Sequence, residues 1–240
     1  MQQVLFTKEH GFCVLNNFKE PWKDVVLRAL VVGEGFDPER VRSMALERWD
    51  GQRIPVITAE RLSGHPASGG FDQIQIAQRL HACFPEAVVL IGTRDPDETK
   101  KSAYKQLVRE GYLGKDLTSL DATDWKIPQA REGYFQHVQL VRQYQALFGP
   151  EQVVELPYIQ LHREPQRWVQ AMESAIGKPL DIALGNKHRR RINKSLSERS
   201  IRVERVMNYF RKTPLNPFPL VRLPRFIARA IAETAVFFGA

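Results

Sequence analysis

The chain has 240 residues, 43% of them hydrophobic and 26% charged. That composition excludes a disordered polar chain and fits one large soluble domain, or a domain with extensions. Lysine and arginine number 35 against 27 aspartates and glutamates, a net charge of +8, which favours anionic partners: a nucleotide, a sulfated or phosphorylated ligand, nucleic acid or an acidic membrane surface.

Cys13 and Cys83 make neither a disulfide framework nor a metal site; both lie in apolar surroundings and read as buried thiols. The opening "MQQVLFTKEHGF" lacks the basic and apolar regions of a signal peptide. No uncharged apolar run is long enough to span a bilayer, so a reducing cytoplasm is the simplest expectation.

In chain order, residues 4–6 predict a short strand, and 22–32 and 38–49 two helices. The β-branched "IPVIT" at 54–58 predicts a buried strand. "LSGHPASGG" is a loop. Asp72 stands where an N-cap would open a helix through "QIQIAQRLHACF", with Ile74, Ile76, Leu80 and Phe84 as core candidates. A buried strand follows at 87–92. Asp95 and Pro96 form an N-cap and first helical residue, and that helix runs to about Glu110, with Gly111 ending it. "LTSLDATDWKIPQAREG" reads mostly as loop. Residues 134–148 predict a helix with Phe135, Val138, Val141 and Leu147 on its apolar side. "QVVELPY" predicts a strand and 165–176 a helix.

Alternating strands and helices imply an α/β domain with a mainly parallel sheet. The expected division is residues 1–217 as that domain and 218–240 as a C-terminal amphipathic helix. The tail "PRFIARAIAETAVFFGA" is interrupted by Arg225, Arg229 and Glu233; packing on the domain is the first reading, membrane or partner contact the second.

Ligands of open parallel sheets sit beyond the carboxyl ends of the strands, and Arg94 stands just there. A guanidinium makes paired, charge-assisted contacts to phosphate. Seven residues return a helix to nearly the same face, with a drift of about 20°, so Ser102 projects on the side of Asp95. An arginine and a hydroxyl gripping one anion is one reading. A surface arginine paired with Asp95 or Glu98, beside a solvated serine, is the other.

These residues also carry a resemblance. "FPEAVVLIGTRDPDETKKSAYKQLVREG" resembles the 3′-phosphate-binding segment of sulfotransferases: Phe84-Pro85, a buried strand, Arg94-Asp95-Pro96, then Ser102-Ala103-Tyr104. "VITAERLSGHPASGGFDQIQIAQRL", "GYFQHVQLVRQYQALFGPEQVVELPYIQL" and "RINKSLSERSIRVERVMNYF" are similar to other segments of the bacterial and carbohydrate sulfotransferase-like group. The resemblance runs from about Thr7 to Pro217.

It implies a P-loop-NTPase-like three-layer α/β/α fold and 3′-phosphoadenosine 5′-phosphosulfate as sulfuryl donor. The acceptor would be a hydroxyl of a carbohydrate, lipid or small metabolite, and no metal is expected. Arg94 and Ser102 would bind the 3′-phosphate. Arg190 and Arg191, in the basic "NKHRRRINK", are weaker candidates and equally a solvated basic face. "FTKEHGFC" resembles the segment whose glutamate serves as general base, which assigns that role to Glu9, flanked by Lys8 and His10. Glu60 lies at the exit of the "IPVIT" strand and reads first as a structural hydrogen-bonding group.

One part of the family pattern is not found. Sulfotransferases of this type open with a strand and a loop, roughly Pro-Lys-x-Gly-Thr-Thr/Ser, that wraps backbone N–H groups around the 5′-phosphosulfate. Only "MQQVLFT" precedes Lys8. A start at an internal methionine, a degraded relative, and a loop supplied by another chain are the explanations, in that order. Without that strand the middle of the expected sheet is lost. The functional expectation is therefore a sulfotransferase. The alternatives are a non-catalytic relative that keeps only 3′-phosphoadenosine binding and, last, a basic nucleic-acid-binding module. No nucleic-acid partner is expected, because the chain carries no aromatic-basic motif of a recognised nucleic-acid-binding fold.

Overall fold

A computed structural model describes residues 5–17, 20–65, 70–114, 132–180, 182, 197–213 and 215–220. The chain divides into two compact units: residues 1–94 with 136–190, and residues 95–135 with 191–240. Arg190, Arg191 and the tail at 221–240 lie outside the described residues.

The first unit holds β1 (Phe12–Val14), α1 (Val25–Val31), α2 (Pro38–Leu46), β2 (Ile54–Val56), α3 (Gln73–Cys83) and β3 (Val89–Thr93). It continues with α6 (His137–Phe148), β4 (Val153–Pro157), α7 (Tyr158–Arg163) and α8 (Pro165–Ile176). The second unit holds α4 (Pro96–Arg109), α5 (Glu132–Phe135) and α9 (Glu198–Asn208). The expected mixture of helices and parallel strands is therefore observed.

The described strands form two parallel pairs, β1 with β2 and β3 with β4. Alternation along the strands sorts their side chains onto two faces. Phe12, Leu90, Val154 and Leu156 join Leu161, Trp168, Val169 and Met172 of α7 and α8 in one apolar cluster, which Ile54 and Val56 also touch. Cys13 turns the other way, toward Val26 and Leu30 of α1 and Val41 of α2. Ile91 and Val153 pack against Ala77 of α3 and Leu140, Tyr144 and Phe148 of α6. This unit is thus helices, strands and helices in three layers. Among the described residues β2 pairs only with β1: Ile54 N–H donates to Gly11 O and Leu15 N–H to Val56 O. Pro55, which has no N–H, therefore points its backbone away from β1.

Several sequence expectations are corrected. Leu5 and Phe6 are not extended, and the strand of this region is Phe12–Val14. The 134–148 helix is two helices, broken at Gln136, which is extended (φ −83°, ψ 92°). Phe135 is buried, but Val138 is exposed. Ile74 is exposed too, while Ile76 is fully buried. Asp72 does not cap α3. Its carboxylate accepts from Arg61 at 2.5 Å and from the His65 N–H at 3.2 Å, which ties down the loop before the helix instead.

Both cysteines are buried, as expected. Burial pushes the Cys83 thiol up to about 11, so it is protonated and inert at neutral pH.

In the second unit, α4 and α9 pack together through Tyr104, Leu107 and Val108 on one side and Ile201, Met207 and Asn208 on the other. Asn208 is fully buried and donates to Val108 O at 2.7 Å and Tyr112 O at 3.2 Å; Arg211 donates to Arg109 O. Side chains at the end of α9 thus satisfy carbonyls at the end of α4.

Candidate functional site

Arg94 directly follows the carboxyl end of β3, where the sequence places it. The parallel register pairs Thr93 with Pro157 and Ile91 with Glu155, which brings the end of β4 and the start of α7 alongside. Tyr158, the first residue of α7, lies under the arginine: the Arg94 guanidinium carbon is 4.1 Å from the ring centroid. That is a close cation–π contact. Arg94 is exposed and makes no ion pair among the described residues. The two carboxylates that a plain surface arginine would use are otherwise engaged: Asp95 caps α4 by accepting from Glu98 N–H at 3.0 Å, and Glu98 pairs with Lys101 at 3.1 Å.

Two titratable groups flank this position. Thr93 Oγ1 donates to Glu155 Oε1 at 2.8 Å. Burial pushes the His137 imidazole, at the start of α6, below its ordinary value, against the pull of Glu155 and with the push of Arg94. Its Nε2 is buried with no hydrogen-bond partner. The end of β3 and β4 therefore carries an uncompensated guanidinium on an aromatic bed, with a neutral imidazole at neutral pH beside it. A guanidinium so placed is chemically suited to an oxyanion.

Ser102 lies on α4, exposed, on the opposite side of that helix from the buried Leu107 and Val108. The cap and first residue of α4 are those expected, Asp95 and Pro96. Ser102 belongs to the second unit and Arg94 ends the first, so each is placed within its own unit.

Glu9 sits exposed in the turn before β1, in which Gly11 N–H donates to Lys8 O and Phe12 N–H to Thr7 O. Of its neighbours, His10 is held by a 2.9 Å contact from Nδ1 to Leu5 O. Beside this turn is a cavity of about 520 Å³ lined by Phe6, Lys8, Phe12, Trp49 and Arg53 among others. Arg53 is paired with Asp50, whose carboxyl is held at about 2 by the N–H groups of Arg53 and Gln52 and by the Arg53 side chain. No hydrogen bond or ion pair among the described residues joins Glu9 to Arg94. Glu60 is exposed at the start of a single 3₁₀ turn, Glu60–Ser63, where Ser63 Oγ donates to its backbone oxygen.

Tyr158, His137 and Glu155 are the contributions that sequence reasoning missed. The glutamate inside the apolar "VVELP" was the available signal, as a polar residue interrupting an apolar strand, although Glu155 itself is exposed. Among the described residues no group of histidines, cysteines and carboxylates could hold a metal ion, and no helix is long and apolar enough to cross a membrane. The family model described as "Sulfotransferase family" matches residues 72–181, a span that includes Arg94, Ser102, His137, Glu155 and Tyr158. No curated protein and no solved structure matches the chain.

Proposed function

We propose that the chain, whose residues 72–181 match the sulfotransferase family model, binds 3′-phosphoadenosine 5′-phosphosulfate and transfers its sulfuryl group to a hydroxyl. The observation that carries the reading is Arg94: a guanidinium at a strand exit, bedded on Tyr158 and free of any ion pair among the described residues. In this reading Arg94 takes the donor's 3′-phosphate, and the sequence pattern assigns Ser102 to the same group. Arg190 and Arg191 are proposed as further contacts to the nucleotide. The fold proposed is the P-loop-like α/β/α arrangement, and the acceptor a carbohydrate, lipid or small metabolite.

Sulfuryl transfer is an in-line displacement. The acceptor oxygen forms a bond to sulfur as the bond from sulfur to the bridging phosphate oxygen breaks, and 3′-phosphoadenosine 5′-phosphate leaves. Positioning and charge neutralisation supply most of the acceleration. The acceptor proton goes to a carboxylate, for which Glu9 is proposed. Labelled-sulfate transfer to a panel of hydroxyl acceptors tests this. The expected outcome is turnover in the parent and a loss of about 100-fold or more in Glu9→Gln. Undiminished turnover in that variant excludes Glu9 as the base.

A further inference from the structure

The second unit carries an apolar and basic surface unconnected with the nucleotide reading. On α9 and its C-cap, Arg199, Arg202, Val206 and Tyr209 recur at the spacing that puts residues on one helix face. All four are exposed, while the buried Ile201, Met207 and Asn208 belong to the side that meets α4. The segment after α9 extends this surface. Phe218 is 89% exposed, Leu220 76%, Val206 57% and Tyr209 41%.

These side chains are not on a loose tail. Thr213 and Asn216 bond to each other in both directions, Asn216 donates to Asn208 O, and Leu220 N–H donates to Tyr209 O at 2.8 Å. Pro217 and Pro219 stiffen the backbone on either side of Phe218. A fixed loop thus holds a phenylalanine and a leucine out into water, at a hydration cost that isolated monomers avoid over large areas.

Positive charges predominate around the patch. Arg199, Arg202, Arg205 and Lys212 make no ion pair among the described residues. Of the acids on α9, Glu204 is paired with Arg211 at 3.0 Å, and Glu198 stands at the far end of the helix from the loop, beside Arg199. Protruding apolar side chains ringed by cations match the boundary between acyl chains and anionic headgroups. The aliphatic Leu220 and Val206 would gain nothing from a nucleic-acid backbone. We propose that the face formed by α9 and residues 217–220 docks on an anionic lipid bilayer, with Phe218 and Leu220 entering the interface and the arginines lying against the headgroups.

The test is flotation of the full chain with vesicles of phosphatidylcholine alone and of phosphatidylcholine with about 30% phosphatidylserine. The expected result is partitioning at least about tenfold stronger onto the anionic vesicles, weakened by about 0.5 M salt. Phe218→Ser with Leu220→Ser should lose about tenfold on anionic vesicles. Arg202→Glu with Arg205→Glu should abolish the preference for anionic vesicles. Each variant is checked for an unchanged thermal melt and circular dichroism; an altered melt directs the test to Phe218→Ala with Leu220→Ala, for which a loss in the same direction is expected. Equal partitioning onto both vesicle types, or parental binding in both sets of variants, overturns the proposal. So does binding to duplex DNA without binding to vesicles, or self-association that removes vesicle binding.

Discussion

Arg94 owes its proposed role to what lies beneath it. A guanidinium on an exposed chain would sample many rotamers, whereas the Tyr158 ring fixes one face of it. Tyr158→Ala should therefore weaken binding of 3′-phosphoadenosine 5′-phosphate by about three- to tenfold, and Tyr158→Phe, which keeps the ring, should bind like the parent. Titration calorimetry on the two variants reads this directly.

His137 gives a second expectation. Its folded value lies below its ordinary one because it is buried, so on acidification the unfolded chain takes up this proton first. Stability is then lost as pH falls below about 6.5, the unfolded imidazole value, and regained above it. Urea unfolding at about pH 8 and about pH 5 should show the loss, and His137→Gln should reduce it. Arg94 was legible in the sequence because strand exits are recognisable. Glu155 was not, because it reaches the site only through a register between strands more than 60 residues apart, and neither was His137, which a separate helix, α6, brings there.

Most elements were legible, and the exceptions have local causes. The sequence's hydrophobic spacing could not show that Gln136 breaks the 134–148 helix. Nor could it show that Arg61 diverts Asp72 from its cap, since ion pairs override capping preference only once the loop has folded. Asp24 is the converse, an unrecognised cap. Its buried carboxylate accepts from Leu27 N–H at 3.0 Å, Asn17 N–H at 2.9 Å and Arg48 at 2.6 Å. Burial raises its value, but these donors outweigh burial and hold it below the usual carboxylate range. Asp24→Asn should cost about 1–3 kcal/mol in denaturant unfolding, by weakening the cap of α1 and leaving Arg48 unpaired. At the end of α4, Gly111 has φ +107°, and a Cβ there would lie 1.9 Å from Thr213 Oγ1. Gly111→Ala should destabilise the protein by about 1–3 kcal/mol, with a matching fall in melting temperature.

At the scale of the molecule, periodicity foretold alternating strands and helices, and the first unit has the layers that follow from them. It could not foretell that the described strands stand as two pairs, because pairing depends on neighbours distant in sequence. The positive charge was visible from composition alone. Only the fold separates Arg94, at a strand exit in the first unit, from the arginines of α9 in the second.

The most direct measurement is calorimetry of 3′-phosphoadenosine 5′-phosphate against adenosine 5′-phosphate, on the parent, Arg94→Ala and Ser102→Ala. The parent should prefer the nucleotide that carries the 3′-phosphate. Arg94→Ala should lose about 10- to 100-fold, the worth of hydrogen bonds to a charged group, and Ser102→Ala about tenfold. A parent that binds both nucleotides equally, or two variants that keep the parent's affinity, would contradict the assignment.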